Sequence, residues 1–349
     1  MKNLVSRRYF LGTTAVGVGA TLLPSYLSAA NDTGSLPAAS PPKVDQNVMQ
    51  IAKRDAIYSF HSAQNQPQIT IRPGEVFQAE TELCSGDWLQ NEHSVFAPRN
   101  VVNPAVVVAI DGARPGDVLA VDILDVVPDR LGFTGFRNGS ALANQIMSRD
   151  WGYNIKIVTI ENGYVNWNDK VKLPIKPMLG VLGTAPANEI YGNGRAGDYG
   201  GNMDVQEVAP GATVYLPVRV PGALLHIGDA HAIQGDGEIC GSGGIECRSL
   251  ATLRARIIPR PENYRCVRIE TDEFIATVGS QRSLEESFHF ATAQLIGWMT
   301  ADYGFSISEA YLLLGQIMEA RLTQLVNPTY SYICKAPKRF LHPSAESTQ

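Results

Sequence analysis

Three of the four Pro-Gly pairs in this 349-residue chain do most to limit the folds open to it. Pro73-Gly74 leads into "EVFQAETEL", Pro115-Gly116 into "DVLAVDILDVV" and Pro210-Gly211 into "ATVYLPVRV". Proline presets φ at the second position of a type II turn, and glycine supplies the positive φ of the third. In the first run Phe77, Ala79, Thr81 and Leu83 share one side, and Gln78, Glu80 and Glu82 share the other. That period of two belongs to a half-buried strand. The sequences around the turns do not match, so the chain has no internal repeat. Near the C-terminus the period changes. Segments 283–303 and 306–326 read as amphipathic helices. Ser306 or Ser308 can cap the second, and Asn327-Pro328 can stop it. Helices do not alternate with strands. The pattern therefore predicts a mainly β fold, a β-sandwich body with two C-terminal helices packed on it, rather than βαβ units.

Residues 1–30 stand apart from this pattern. "SRRYFLG" carries Arg7 and Arg8, the pair of a twin-arginine export signal. A mildly apolar run follows, and Ser28-Ala29-Ala30 offers small residues to a signal peptidase. The reading is a signal peptide over 1–30, cut after Ala30 by way of the twin-arginine machinery. It continues with a flexible, proline-rich mature start over 31–45, then a folded domain over 46–349 in the periplasm. A membrane anchor fits less well. Glycine, threonine and Pro24 interrupt the run, and no second apolar span of about 20 residues follows.

Removing Lys2, Arg7 and Arg8, with no acid among them, takes the formal net charge from −5 to −8. An acidic chain without a basic cluster is ill suited to nucleic acid. The cysteines are Cys84, Cys240, Cys247, Cys266 and Cys334. They are odd in number and lack a C-x-x-C pair, so they indicate neither a zinc finger nor a disulfide framework. Most read as small buried hydrophobes.

The chemistry concentrates in "HIGDAHAIQGDGEICGSGGIECRSL", from His226 to Leu250. On a strand, Leu225, Ile227, Asp229, His231 and Ile233 share a face. Asp229 and His231 then project together from an apolar side, where an unpaired carboxylate is costly. A cation or a neighbouring strand's donors can satisfy it. His226 falls on the opposite face and reads as structural. Downstream, Gly235 and Gly237 flank Asp236, and Glu238 follows. Upstream, "YGGNMD" repeats the theme with Asn202 and Asp204. Asp204, Asp229 and His231 form a mixed carboxylate–imidazole set. Such a set suits a divalent metal, zinc first, with manganese and iron as rivals. An additional oxygen-only site would suit calcium.

Other nucleophiles find little support. There are no adjacent serines, no G-x-S-x-G and no lysine between Lys176 and Lys335. Cys240 stays open as a nucleophile. Water activated at a metal is the favoured alternative, with Glu238 as proton donor to the leaving group and Asp236 second. His61 can line a pocket or be structural. Asn65, Asn202 and Gln234 can bind a substrate or hold turns. Trp88 can close a pocket or sit in a core.

"HSAQNQP" at 61–67, "PAVVVAIDGARPGDVLAVDILDV" at 104–126, "PMLGVLGTAP" at 177–186 and "GGNMD" at 200–204 resemble the acetamidase/formamidase family. So do "VYLPV" at 214–218, "GDAHAIQGDGEICG" at 228–241 and "SISEAYLLLG" at 306–315. The resemblance runs through nearly the whole mature chain. It implies a CUB-like β-sandwich, a homo-oligomer, a metal near the GDxHAxQGDGE motif, and hydrolysis of short amides to carboxylate and ammonia. The "CGSGGIE" segment is glycine-richer than that pattern. An exported relative that binds a small amide or a metal without turnover is the rival reading, as is a hydrolase of another amide or ester.

The export reading predicts that the mature chain begins at Asn31. N-terminal sequencing of the periplasmic fraction checks it. Replacing Arg7 and Arg8 by lysine should strand the precursor in the cytoplasm, and normal export of that variant would count against a twin-arginine signal.

Overall fold

A computed structural model describes residues 50–137 and 153–341. The export segment, its cleavage point and residues 31–45 lie outside these. Among the described residues, eighteen strands join one sheet and two short strands form a second. The expectation of a mainly β chain with two helices near its end holds. The strands, however, belong to one continuous, curled and largely antiparallel ladder.

All three Pro-Gly turns form as the sequence predicts. Glu75 N donates to Arg72 O, Asp117 N to Arg114 O and Ala212 N to Ala209 O. Gly74, Gly116 and Gly211 carry φ of 88°, 102° and 92°. The strands that matter for the site follow in chain order. β1 spans Val76–Thr81, β2 Ala105–Ile110, β3 Val118–Arg137 and β4 Met178–Gly183. β5 spans Leu225–His231 and β6 Ser242–Ile258. The long strands β3 and β6 pair antiparallel from Val118↔Ile258 to Gly135↔Ser242. β6 also pairs with β1, with Ser249 opposite Thr81.

β5 changes partner along its length. Leu225–Gly228 face β2, whereas Ala230 and His231 face Cys247 and Glu246 of β6. Asp229 sits at the handover with φ of 54°. The alternation of β5 slips there. Leu225 and Ile227 enter the main apolar core before Asp229, and Ala230 and Ala232 enter it after. The facing strand slips too, with both Leu179 and Leu182 in that core. Asp229 and His231 thus leave the apolar face on which strict alternation would put them with Leu225 and Ile227. The left-handed residue turns them into the polar cluster.

Two helices follow β7 (Phe274–Gln281). α1 spans Leu284–Tyr303, and the Ser283 side chain accepts from Glu286 N at its start. α2 spans Ile307–Ile317 behind a capping box made by Ser306 and Glu309. Such a cap is worth about 1 kcal/mol. Leu295, Trp298 and Met299 of α1 form a second core with Ile275 and Ala336. The second helix is shorter than predicted. It ends at Ile317, and the residues expected to continue it form β8 (Glu319–Gln324), paired with β9 (Tyr330–Pro337). Ladder hydrogen bonds and the complete burial of Thr323 and Gln324 outweigh the helical pattern of this stretch. Asn327-Pro328 belongs to the connection of a hairpin, where Gln324 Oε1 accepts from Val326 N and Asn327 N.

α1 lies against β7 so closely that a Cβ on Gly279 would stand 2.0 Å from Ser287 O. Gly279→Ala should therefore destabilise the chain by about 1–3 kcal/mol through displacement of the helix. Urea unfolding measures the loss, and an unchanged midpoint would contradict this packing.

Candidate active site

Four carboxyls and one imidazole meet where β4, β5 and β6 converge. His231 is fully buried. Its Nε2 lies 3.2 Å from Glu246 Oε2, without hydrogen-bond alignment, and 3.7 Å from Asp229 Oδ1. Candidate ligand atoms of Asp204, Asp229 and His231 all fall within 4.8 Å of one another. Asp204 Oδ1, Asp229 Oδ1, Glu238 Oε2, Glu246 Oε2 and both nitrogens of His231 are buried without a hydrogen-bond partner. A folded chain rarely leaves so many polar atoms unsatisfied in one place, since each costs about 1–3 kcal/mol.

Backbone geometry confirms that the cluster is built rather than accidental. Asp204, Asp229 and Glu238 all have left-handed backbones, with φ of 48°, 54° and 48°. Strain of this kind costs on the order of 1–3 kcal/mol per residue and gathers at functional sites. Glycines clear the space around the acids. A Cβ on Gly180 would sit 2.4 Å from Asp204 Oδ1 and 2.7 Å from Asp229 Oδ2. On Gly243 it would strike Glu238 O at 2.5 Å, and on Gly244 the His231 ring at 2.8 Å. The excess glycine of "CGSGGIE" thus makes room for two site residues.

Electrostatics follow from burial. Burial first, then the charge of Asp229, pushes the Asp204 carboxyl up to about 7. Burial does the same to Glu246, up to about 7, with His231 opposing and Asp229 assisting. Glu238 rises well above the carboxylate range through burial and the charge of Asp204. Burial pulls His231 down, but Glu246 and Asp229 outweigh it and raise its pKa well above the usual value.

The cluster opens into a cavity of about 530 Å³ lined by Asp229, Glu238 and Glu246 together with Asn202, Cys84 and Cys240. The buried Asn202 Oδ1 is unpartnered. Of the sequence-predicted residues, Asp204, Asp229, His231, Glu238 and Asn202 come together here. Asp236 does not. Its side chain turns out to solvent and pairs with Arg321 at 2.5 Å, because Gly237 at φ of 82° lies between it and Glu238. Gln234 is a brace whose Nε2 donates to Asp204 O at 3.0 Å and to Thr323 O at 3.1 Å. His61 and Asn65 form a separate buried cluster. His61 stacks on His226 at 4.2 Å and bonds Asn193, while Asn65 Nδ2 meets His226 Nε2 at 2.8 Å. Burial holds both histidines neutral and lowers His226 to about 4. Trp88 packs edge-on against Phe96 and Phe133 in a small apolar cluster.

Sequence reasoning missed Glu246, Cys84 and Asn327. Glu246 was findable, since a strand returning from the glycine loop sets an acid opposite His231. Asn327 Nδ2 donates to Asp204 Oδ2 at 2.8 Å, a contact that only the unforeseen hairpin creates.

The fold and the site together define a β-sheet protein with a buried acid–imidazole centre open to a cavity of mixed polar and apolar lining. The chain belongs to the acetamidase/formamidase family, whose model matches residues 43–197 and 193–338. It is similar to the crystal structure of an acetamidase from Bacillus halodurans. The TM-score is 0.78 with 31% identity, covering 83% of this chain and 98% of that one. It is also similar to a formamidase of Methylophilus methylotrophus, 25% identical over 54% of this chain and 60% of that protein. An acetamidase of Mycolicibacterium smegmatis is 24% identical over 54% of this chain and 63% of that protein. The aligned region thus spans about 60% of the length of the curated relatives it matches.

The cluster sets a pH dependence whose sign can be worked out. Asp204, Glu238 and Glu246 have raised values in the folded chain. The unfolded chain releases these protons at about pH 4, whereas folded Asp204 and Glu246 keep theirs up to about 7, so their stabilisation is lost as pH rises from about 4 through about 7, and the raised Glu238 acts in the same direction. His231, also raised, contributes stability that is lost in the same direction. His61 and His226, lowered by burial, act in the opposite direction only while the unfolded chain protonates them, below about pH 7. The urea midpoint of chelator-treated protein should therefore drop between about pH 7 and 8. A midpoint that climbs over that range would refute this charge arrangement.

Proposed function

We propose that this chain hydrolyses a short-chain amide of the formamide and acetamide class to carboxylate and ammonia. The observation that carries the reading is Glu238. It is a buried acid with an unpartnered Oε2, it lines the cavity, and it is held against Asp204 by a strained turn. The acetamidases and formamidases that the chain resembles support the substrate class.

Asp204, Asp229 and His231 fit a divalent ion, zinc by preference. Their ligand atoms cluster within 4.8 Å, and their free atoms carry excess negative charge. Such an ion supplies Lewis acidity, which polarises the amide carbonyl and acidifies water. The remaining roles fall to side chains. Asn202 Oδ1 accepts from the substrate N–H and orients the amide. Gln234 and Asn327 fix Asp204 through its carbonyl and carboxylate. In its ionised form Glu238 takes a proton from the attacking water on Oε2 as the new C–O bond forms. It then returns that proton to the nitrogen as the C–N bond breaks, and ammonia leaves neutral. Proton transfer by a placed group is typically worth about 10²–10⁴ in rate. The export signal, where present, puts this hydrolysis in the periplasm.

Glu238→Gln preserves shape and removes the proton transfer. It should keep bound metal and lose kcat for ammonia release by about 10²–10⁴. Ammonia released from formamide, acetamide and propionamide is the readout, with wild type alongside. Full activity of the variant would dismiss Glu238. A metal-loaded wild type that releases no ammonia from any of the three would defeat the amidase reading.

A further inference from the structure

Asp229 belongs to two clusters. One is the set with Asp204 and His231. The other is Cys84, Asp229 and Glu246, whose candidate ligand atoms also lie within 4.8 Å of one another. The topology explains the meeting. β1 ends at Thr81, which pairs with Ser249 of β6, and the chain then turns through Cys84. Glu246 lies three residues upstream on the same β6, directly opposite His231 of β5. The turn after one strand and the start of the next thus bring a thiol and a carboxylate to Asp229, with Glu246 Oε2 also 3.2 Å from His231 Nε2.

We propose that Cys84, Asp229 and Glu246 hold a second divalent ion, with the Asp229 carboxylate bridging it to the ion at Asp204 and His231. The inference rests on the first ion site and extends it to a two-metal centre. Two observations point to a ligand. Glu246 Oε2 and Asp229 Oδ1 are buried without a hydrogen-bond partner, although both residues line the cavity. Four carboxyls also face a single imidazole, an imbalance that one divalent ion leaves partly uncorrected. The donor set decides the class of ion. A thiolate with two carboxylates selects zinc, cobalt or iron and disfavours calcium and magnesium. This differs from the oxygen-only calcium site that the sequence alone suggests. Two-metal hydrolytic sites hold their ions about 3.5–4 Å apart, a span that one bridging carboxylate covers. On binding, the thiol proton passes to solvent and the sulfur lone pair is donated to the ion, with no change of oxidation state.

Cobalt(II) is the probe, because a thiolate ligand gives it a charge-transfer band in the near ultraviolet. The full chain, purified without affinity nickel and stripped with chelator, is titrated with cobalt and desalted. Cobalt is then counted by elemental analysis. Wild type should bind about two ions per chain and show the band. Cys84→Ser should bind about one and lose the band. His231→Ala should bind about one and keep it. Circular dichroism and thermal unfolding establish that each variant is folded. If a variant fails to fold, the wild-type count and band still decide. One ion without a thiolate band overturns the second site and leaves the first intact. No bound cobalt overturns both. Retention of two ions and the band in Cys84→Ser also overturns the proposal.

Discussion

Burial of four carboxyls around one imidazole is the constraint that shapes the centre of this protein. Ionised acids removed from water must be neutralised by protons, donors or cations. The chain provides few donors. Asp204 receives one from Asn327, and Glu238 receives a long contact from Gly243 N at 3.5 Å. Asp204 Oδ1, Asp229 Oδ1, Glu238 Oε2 and Glu246 Oε2 are left bare. The fold accepts that cost and adds backbone strain at three of the acids. A sheet built for stability alone would carry apolar residues at these positions.

The sheet architecture explains how such a cluster stays rigid. β5 is held along one edge by β4 and along the other by two strands in succession. Asp229 occupies the joint between those two partners. A residue there is released from strict alternation, while its neighbours on either side remain locked in a ladder. This places a carboxylate off the regular face without a loop and without mobility. The Asp204 backbone is gripped similarly, because Met203 N and Asp204 N both donate to Gly180 O.

Much of the fold was legible in the sequence because its signals are local. Pro-Gly turns, the period of two and the serine cap of α2 each depend on a few adjacent residues. The stretch after Ile317 was not legible. Its apolar spacing suits a helix, and only the distant Tyr330–Pro337 strand makes an extended form better. The site divides in the same way. Asp229 and His231 are two residues apart, and glycine spacing announced Glu238. Asp236 follows the same glycine pattern but faces solvent, since a left-handed glycine separates the two acids. Glu246 returns across the glycine loop to face His231, whereas Cys84 and Asn327 arrive from other segments, and no short-range pattern links those two to Asp229 or Asp204. His61 and Asn65 lie in the resembling segments, yet they brace a different part of the sheet.

The glycines at 180, 243 and 244 carry a consequence for adaptation. Each lies in contact with a site residue, and none can gain a single carbon without striking it. The inner wall of the centre is therefore closed to gradual change. The outer wall is not, for Val102, Phe96, Ile239 and Leu325 border the same cavity with side chains that can be trimmed or enlarged. New substrate preferences, whether selected in nature or in the laboratory, would have to be written at that mouth, while the charged interior passes unaltered from one variant to the next.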